Sequence, residues 1–231
     1  MKIGIIIFPG TWSDRDTFYA LNEVIKIDSE YIWHKDQSLI NCDFIILPGG
    51  FSYGDYLRTG AIASFSPIME KVIEFSKQGG PVLGICNGFQ ILCESNLLPG
   101  ILIKNKNLDF ICERSFLKVN NQSIYSDKYK QNEIINIPIS HGEGNFQLDR
   151  YNLDKLEEEG RIIFRYSSES GEETERYNPN GSVNNIAGII NSKGNVLGMM
   201  PHPEKASEKI LGGEDGKRIF TSIIENIIQN V

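Results

Sequence analysis

Short apolar runs alternate with segments of helical periodicity over the N-terminal part of this 231-residue chain. The runs span Ile3–Phe8, Tyr31–Trp33, Phe44–Leu47 and Val82–Ile85. Continuous apolar strands separated by helices are typical of a parallel sheet that is buried on both faces. The pattern therefore predicts an α/β protein with a mostly parallel central sheet.

Three helical segments are predicted beside these strands. The first begins at Ser13, a residue type that favours helix N-caps, and runs to about Lys26. The second begins at Pro67 and ends at the glycine pair 79–80. Residues 217–229 have the spacing of an amphipathic helix. Helices of this kind supply the crossovers that a parallel sheet requires.

Shorter strands are predicted in the middle of the chain. They span 111–119, 123–125 and 134–139, with a tight turn at Asn120-Asn121, and they indicate a small antiparallel extension of the sheet. The remaining predicted elements are a helix over 153–159, a polar loop over 167–185, and strands over 162–166, 186–191 and 196–200. No internal repeat or linker is evident, so residues 1–231 are predicted to form one domain.

Composition excludes several classes of protein. The net charge of −7 argues against nonspecific nucleic-acid binding, which needs a basic face. No apolar run approaches the ~20 residues of a membrane span, and the N-terminus lacks the cleavage site of a signal peptide. The scattered cysteines form no C-x-x-C pair, and Cys42, Cys93 and Cys112 are expected to pack as small apolar residues. We expect a cytoplasmic protein that binds no metal, membrane or nucleic acid.

Cys86 stands between the fourth apolar run and a helical pattern. The spacing Gly84-x-Cys86-x-Gly88 is that of a nucleophile elbow, a sharp strand-to-helix turn with the reactive atom at its apex. Glycines are needed because side chains would collide with the turn, and the start of a helix favours the thiolate. A buried core cysteine is the alternative interpretation.

A cysteine nucleophile needs a base and a group that orients the base. Among the three histidines, His202 has Glu204 two residues later and a proline on each side. In an extended segment such residues point the same way, so Glu204 could hold one ring nitrogen while the other faces Cys86. An exposed turn is the alternative. His141, in a glycine-flanked loop, competes for the base role, and His34 is expected to be structural.

The glycine pair Gly49-Gly50 follows the third apolar run. Glycine lets main-chain N–H groups approach a developing oxyanion, and the N–H of Asn87, just after the nucleophile, would be the second donor. An ordinary tight turn is the alternative, but it does not account for the tyrosine- and glycine-rich segment that continues to Arg58. The three motifs follow strands, so they are expected to meet at one edge of the sheet.

Together these residues resemble the class I, or triad, glutamine amidotransferases, in which a G-x-C-x-G elbow carries the nucleophile and a late H-x-E supplies the base and its orienter. Within that family, the motif set is similar to that of glutaminase subunits of purine biosynthesis. The motifs are GGFSYGDYLR from Gly49, GICNGFQ from Gly84, HGEG from His141, NPNGS from Asn178 and GMMPHPE from Gly198. The resemblance covers nearly the whole chain, and Thr59 stands where alanine is common.

The resemblance implies the flavodoxin-like three-layer fold of the family, with a small antiparallel extension. It also implies that Cys86 attacks the side-chain amide of glutamine, that His202 protonates the leaving ammonia, and that Glu204 orients His202. Oxyanion contacts are implied for Gly49 or Gly50 with Asn87, and substrate contacts for Gln90, His141 and Gly142.

Ammonia in this family is delivered to a synthetase. The resemblance therefore implies a large synthetase subunit as partner, with a small bridging subunit in many bacteria, and no cofactor in this chain. ATP and Mg²⁺ would be used by the partner, which agrees with the lack of a phosphate-binding motif in the sequence. Three alternatives stay open: a peptidase-like cysteine hydrolase, whose histidine would adjoin the nucleophile, a non-catalytic interaction module, and a glutaminase that serves another synthase.

Overall fold

The computed structural model describes residues 1–39 and 41–229, so residues 40, 230 and 231 of the predicted domain 1–231 lie outside the described residues. Within them, nine strands form the main sheet and two form a separate one. The strands are β1 (Ile3–Ile7), β2 (Ser29–Trp33), β3 (Phe44–Leu47), β4 (Val82–Ile85), β5 (Ile101–Ile103), β6 (Ile111–Val119), β7 (Ile134–His141), β8 (Asn145–Gln147), β9 (Ile162–Ser167), β10 (Ile186–Ile190) and β11 (Val196–Met199). The helices are α1 (Asp14–Tyr19), α2 (Pro67–Lys77), α3 (Asn87–Glu94), α4 (Arg150–Glu158) and α5 (Lys217–Gln229).

One half of the main sheet is parallel and runs in the order β2-β1-β3-β4-β11. The order 2-1-3-4 is that of flavodoxin-like sheets, in which ligands bind at the carboxyl ends of the strands. Every residue of β3, β4 and β11 is buried, as expected for strands that are covered on both faces. The parallel sheet predicted from the apolar runs is therefore present.

The other half is antiparallel and continues from β11 in the order β10-β9-β6-β7. It corresponds to the antiparallel extension predicted from the middle of the chain. Its outermost strands, β6 and β7, form a long hairpin. The main-chain oxygen of Pro138 in β7 accepts a hydrogen bond from the His202 N–H at 2.8 Å. The antiparallel half thus reaches the edge of the parallel half where the predicted motifs lie.

The segment between β6 and β7 differs from the prediction. Residues 123–125 form no strand, since a turn begins at Ile124, and Asn120-Asn121 begin a long connection instead of a tight turn. Tyr125 is fully buried, and its hydroxyl donates to the main-chain oxygens of Val82 and Asn195 at 2.9 and 2.7 Å. The strand prediction was wrong because Tyr125 is directed into the parallel half, where its hydroxyl meets main-chain oxygens, and the segment pairs with no strand of the described chain.

The helices also differ in detail. The first helix begins after Ser13, but the Ser13 side chain makes no capping hydrogen bond. Residues Ala20–Ile25 form a π-helical segment, which Lys26 ends with a left-handed φ of 66°. Helix α4 begins a few residues earlier than predicted, because the Asp149 side chain accepts a hydrogen bond from the Asn152 N–H and caps the helix.

Two further features correct or extend the sequence analysis. Cys112 is exposed on β6, so the prediction that it packs as an apolar residue was wrong, whereas Cys42 and Cys93 are buried as expected. Strand β6 pairs with β9 only from Phe116 onward, which leaves Cys112 beyond that pairing. The small sheet of β5 and β8 was not predicted. No helix in the described part of the chain is long and apolar enough to cross a membrane.

Helix α3 begins directly against the sheet because two glycines remove the side chains that would separate them. A Cβ on Gly88 would lie 1.9 Å from the main-chain oxygen of Leu47, and a Cβ on Gly84 would lie 2.7 Å from the main-chain carbon of Gly88. No side chain fits at either distance, so α3 is in main-chain contact with β3 and β4. This contact positions the turn between β4 and α3, where Cys86 lies.

We predict that Gly88→Ala lowers the free energy of unfolding by about 3 kcal/mol or more, because the added methyl group forces α3 away from Leu47. Gly194→Ala is the control, since its Cβ would have no neighbour within 4 Å and only its φ of +76° is strained. That strain costs about 1–2 kcal/mol. Urea unfolding followed by circular dichroism measures both variants. Equal destabilisation by the two changes would contradict the role of the Gly88 contact.

Candidate active site

Three of the predicted motifs meet at the carboxyl edge of the parallel half. Cys86 follows β4, Gly49 lies just beyond β3, and His202 lies just beyond β11. These strands are parallel neighbours, so their carboxyl ends lie side by side. A Cβ on Gly49 would lie 3.4 Å from Cys86 Cβ and 2.6 Å from His202 Cε1. Cys86 and the His202 ring therefore both pack against this glycine, which leaves no room for a side chain.

Cys86 occupies a strained turn. Its φ of 51° and ψ of −104° lie outside the regions that non-glycine residues favour. Its N–H donates to the Met199 oxygen at 2.7 Å, which holds the turn against β11. The buried thiol donates to the Ser140 oxygen at 3.5 Å. Cys86 directly precedes the first residue of α3, so the sulfur lies at the N-terminal end of that helix. This is the geometry of a nucleophile elbow.

His202 and Glu204 form a buried pair in which Nδ1 lies 2.5 Å from Oε1. The sequence predicted this contact from an extended segment, but Pro203–Ala206 form a 3₁₀ turn. The prediction of an extended segment was wrong, because the fixed φ of Pro203 suits the first position of a helical turn. His202 Nε2 is buried and makes no hydrogen bond within the described residues. The nitrogen opposite Glu204 is therefore available for a proton transfer.

The charge on His202 is set by its buried neighbours. Burial alone lowers the pKa of His202, but the Glu204 carboxylate and the Cys86 sulfur outweigh burial and raise it to about 10. His202 is therefore protonated at neutral pH. Because this pKa lies above the ordinary value of 6.5, the group stabilises the fold fully below about pH 6.5, and its contribution is lost as the pH rises towards 10.

Two main-chain N–H groups close to Cys86 are candidates for an oxyanion site. Gly50 pairs with Thr11 in an isolated antiparallel bridge, and both hydrogen bonds of this bridge belong to the flanking residues. The Gly50 N–H therefore points away from Thr11. A Cβ on Gly50 would lie 2.6 Å from the Trp12 nitrogen, so only glycine fits. Asn87 is the first residue of α3, and its N–H has no acceptor within the helix.

The side chains of Asn87 and Gln90 connect neighbouring segments to α3. Asn87 Nδ2 donates to Gln90 Oε1 at 2.8 Å, and Asn87 Oδ1 accepts from the Ser52 N–H at 3.2 Å. Gln90 Nε2 donates to the Glu143 oxygen at 2.7 Å. The substrate contact of Gln90 stays a prediction. These two amides link two segments to the elbow, namely residues 49–58, called the glycine-rich segment, and the HGEG motif. The sequence did not indicate these links.

His141 lies at the end of β7 and is buried. Its Nδ1 lies 3.1 Å from Asn105 Oδ1, and the Asn105 N–H donates to the Gly142 oxygen at 2.9 Å. Burial, together with the positive charge of His202, lowers the pKa of His141 to about 4, so the ring is neutral. The structure therefore places His202, rather than His141, in a charged pair with a carboxylate. The substrate contacts of His141 and Gly142 stay predictions.

Asp55 and Glu143 are acidic residues near the site that the sequence analysis did not single out. Burial, with the negative charge of Glu143, raises the pKa of Asp55 to about 6. Asp55 Oδ1 is buried without a hydrogen-bond partner. The Thr59 hydroxyl donates to Glu143 Oε2 at 3.3 Å. Across residues 1–39 and 41–229, no group of three or more His, Cys, Asp or Glu side chains could hold a metal ion.

His34 supports the glycine-rich segment from the other side. Its Nδ1 lies 2.7 Å from the Tyr53 hydroxyl, which also contacts Ser66 Oγ at 3.0 Å. Tyr53 has a left-handed φ of 55°, so this side-chain contact helps to hold an unfavourable backbone conformation. The contact agrees with the structural role expected for His34.

Comparison with known proteins identifies the family. Residues 1–213 match the CobB/CobQ-like glutamine amidotransferase domain. The chain is 55% identical over 226 residues to the phosphoribosylformylglycinamidine synthase subunit PurQ of Moorella thermoacetica, covering 97% of this chain and 96% of that protein. It is 51% identical over 228 residues to the subunit of the same name from Chlorobaculum parvum, covering 98% and 90%. The chain belongs to the glutamine amidotransferase family.

Solved structures share the fold. The structure of PurLQS from Thermotoga maritima contains a chain that superposes with a TM-score of 0.86 at 38% identity, covering 98% of each chain. A glutamine amidotransferase from Thermotoga maritima superposes with a TM-score of 0.61 at 18% identity, covering 99% and 98%, which shows the fold alone. The predicted fold class, a mostly parallel α/β sheet with an antiparallel extension, is confirmed.

We predict that Glu204→Gln lowers the pKa of His202, because the carboxylate that raises it is replaced by a neutral amide. A pH titration by NMR, with isotope-labelled histidine, measures the ring directly. In the wild type we expect the His202 signal to stay that of an imidazolium at pH 8. In the variant we expect a neutral ring at that pH. Asp55→Asn is the matched control, and an unchanged His202 titration in Glu204→Gln would contradict the assignment.

Proposed function

We propose that this chain is the glutaminase subunit of a phosphoribosylformylglycinamidine synthase, a single amidotransferase domain that hydrolyses glutamine and delivers the ammonia to a synthetase subunit. The observation that carries the proposal is the Cys86 elbow beside the buried His202–Glu204 pair. It occurs in a chain that is 55% identical over 97% of its length to a PurQ subunit. The proposed role in purine biosynthesis places the chain in the cytoplasm, where Cys86 stays reduced.

The first half of the reaction is amide cleavage. The Cys86 thiolate attacks the side-chain amide carbon of glutamine, so a carbon–sulfur bond forms and the carbonyl oxygen becomes negative. The N–H groups of Gly50 and Asn87 stabilise this oxygen, and Gly49 leaves space for the reacting groups. His202, protonated at neutral pH, donates its proton from Nε2 to the amide nitrogen. The carbon–nitrogen bond breaks, and ammonia leaves.

The second half is hydrolysis of the γ-glutamyl thioester. Neutral His202 now takes a proton from water, and the hydroxide attacks the thioester carbon. The carbon–sulfur bond breaks, so glutamate is released and the Cys86 thiolate is restored beside the imidazolium. Glu204 accepts a hydrogen bond from Nδ1 throughout, which fixes the ring and stabilises its charged form.

Substrate recognition is assigned to residues that surround the elbow. Gln90 lies one turn into α3, and its side chain can contact the glutamine substrate from there. We assign binding of the α-amino and carboxylate groups of glutamine to the main chain at His141 and Gly142. This assignment is supported by the hydrogen bond between Gln90 and the Glu143 oxygen, which brings the two segments together.

The proposed partner is the large synthetase subunit, joined in many bacteria by a small bridging subunit. The synthetase uses ATP and Mg²⁺, so no cofactor is assigned to this chain. Exposed apolar side chains on the glycine-rich segment suit a docking face: Tyr56 is 74% exposed and Leu57 is 88% exposed. Phe51 of the same segment packs on Phe110 with ring centroids 6.3 Å apart, and both are exposed. The segment therefore joins the oxyanion glycines to this face.

We predict that Cys86→Ala lowers the glutamine-dependent activity of the reconstituted complex by about a thousandfold or more, because no thioester can form. Synthesis from added ammonia should remain at the wild-type rate. Cys112→Ala, which changes an exposed thiol, should leave both activities unchanged. Loss of the ammonia-dependent activity in Cys86→Ala would indicate a structural role and contradict the proposal.

A diazo-ketone analogue of glutamine tests the nucleophile independently. We expect the analogue to modify Cys86 in the presence of the synthetase, with peptide mapping by mass spectrometry as the measurement. The exposed Cys112 serves as an internal control for nonspecific thiol reactivity. Modification at another residue, or no modification in the complex, would contradict the proposed reaction.

We predict that Leu57→Asp weakens binding to the synthetase by about tenfold or more, because a charge replaces an apolar side chain at the docking face. Tyr151→Asp is the control, since Tyr151 is 78% exposed on α4 and lies outside the glycine-rich segment. Isothermal titration calorimetry with the synthetase measures both affinities. Equal weakening by the two variants would contradict this docking face.

A further inference from the structure

Asn180 belongs to the NPNGS motif, which the proposed reaction does not use. Its side chain is fully buried. Its Nδ2 donates to the Gly144 oxygen at 2.8 Å and to the Tyr166 hydroxyl at 3.2 Å, and it lies 3.5 Å from His141 Nε2. Its Oδ1 accepts from the Ser182 hydroxyl at 2.7 Å. Both polar atoms of this amide therefore have partners in the protein interior, and two of those partners, Gly144 and His141, belong to the HGEG motif.

Residues 140–144, here called the substrate segment, touch the elbow at two points. The Ser140 oxygen accepts from the Cys86 thiol at 3.5 Å, and the Glu143 oxygen accepts from Gln90 Nε2 at 2.7 Å. The segment also contains His141 and Gly142, the proposed substrate contacts. A small displacement of this segment would therefore change how glutamine is held relative to the nucleophile.

Two buried asparagines, Asn105 and Asn180, also hold the substrate segment. Asn105 Nδ2 donates to the His141 oxygen at 2.9 Å, and Asn105 Oδ1 accepts from the Gly144 N–H at 2.9 Å. Asn180 supplies the matching donor to the Gly144 oxygen. The N–H of Lys106, the residue after Asn105, donates to the main-chain oxygen of Asn180 at 2.9 Å. This hydrogen bond links the two asparagines through the main chain. Amide side chains therefore fix the segment at His141 and at Gly144.

The buried ring of His141 is part of the same arrangement. Its Nδ1 faces the Asn105 oxygen, so Nδ1 carries the proton of the neutral ring. Its Nε2 lies 3.5 Å from Asn180 Nδ2. The Tyr166 hydroxyl, which is also buried, lies 3.2 Å from Asn180 Nδ2. Asn180 thus lies between the substrate segment and Tyr166 of β9.

We propose that Asn180 is a positioning residue for glutamine: it holds the substrate segment in the place where that segment can present the amide to Cys86. The inference rests on the proposed function and deepens it, since it assigns to the NPNGS motif a role in the affinity for glutamine. Asn180 acts through Gly144 and His141, and it touches neither the substrate nor the reacting atoms.

The test is Asn180→Ala in the reconstituted complex with the synthetase. The matched control is Asn195→Ala, because Asn195 is also buried and its Nδ2 donates to two main-chain oxygens, of Ser76 and Gly80, at 2.8 Å. Those acceptors lie outside the substrate segment. Both changes remove comparable buried hydrogen bonds, so both should lower the melting temperature. Of these two variants, only Asn180→Ala should raise the KM for glutamine, by about tenfold or more.

Further measurements distinguish positioning from general destabilisation. In Asn180→Ala, ammonia-dependent synthesis should stay at the wild-type rate, and modification of Cys86 by the diazo-ketone analogue should slow in step with the loss of kcat/KM. Ser182→Ala is a second variant, because the Ser182 hydroxyl also lies 3.2 Å from the Gly144 oxygen. It should raise the KM in the same direction by a smaller factor, and it keeps the inference testable if Asn180→Ala does not fold.

The outcomes separate this inference from the proposed function. A wild-type complex that does not use glutamine overturns the proposed function, and the inference with it. A wild-type complex that uses glutamine, together with a normal KM in Asn180→Ala and Ser182→Ala, overturns the inference alone. An equal rise of KM in Asn195→Ala also overturns it, because the effect would then follow stability and not the substrate segment.

Discussion

The contact between Gly88 and the main-chain oxygen of Leu47 determines where Cys86 lies. Because no side chain separates α3 from the sheet, the chain must turn at Cys86, which takes a strained φ of 51°. Backbone strain of this kind persists only where the surrounding packing imposes it. The packing therefore fixes the thiol at the strand edge, against the same glycine, Gly49, that contacts the ring of His202.

Burial and neighbouring charges give the two buried histidines, His202 and His141, opposite protonation states. The pKa of His202 rises to about 10 because the charges of Glu204 and Cys86 outweigh burial. The pKa of His141 falls to about 4 because burial and the charge of His202 act together and no carboxylate pairs with the ring. A protonated ring can deliver a proton to leaving ammonia. A neutral ring can serve as a fixed hydrogen-bonding group. The contacts of His141 with Asn105 and Asn180 fit this role.

Local patterns made the parallel half and the elbow predictable. Apolar runs predict buried strands, and the glycines on either side of Cys86 predict a tight turn, because side chains at Gly84 and Gly88 would collide with their neighbours. The antiparallel half was harder to predict, because its structure depends on contacts between residues that are distant in sequence. Tyr125 was placed in a strand, yet its hydroxyl bonds residues 43 and 70 positions away. Asn180 acts on Gly144, 36 positions away. The Pro-His-Pro-Glu contact was predicted, but the turn that produces it was not.

Direct trapping of the γ-glutamyl thioester tests the central claim, that Cys86 is the nucleophile of a glutaminase. The complex with the synthetase is mixed with isotope-labelled glutamine, quenched in acid during turnover and digested, and the peptides are analysed by mass spectrometry. The account predicts one labelled glutamyl group on the peptide that contains Cys86, lost on treatment with hydroxylamine. Turnover of glutamine with the label on another residue, or with no acyl-enzyme at any quench time, would contradict it.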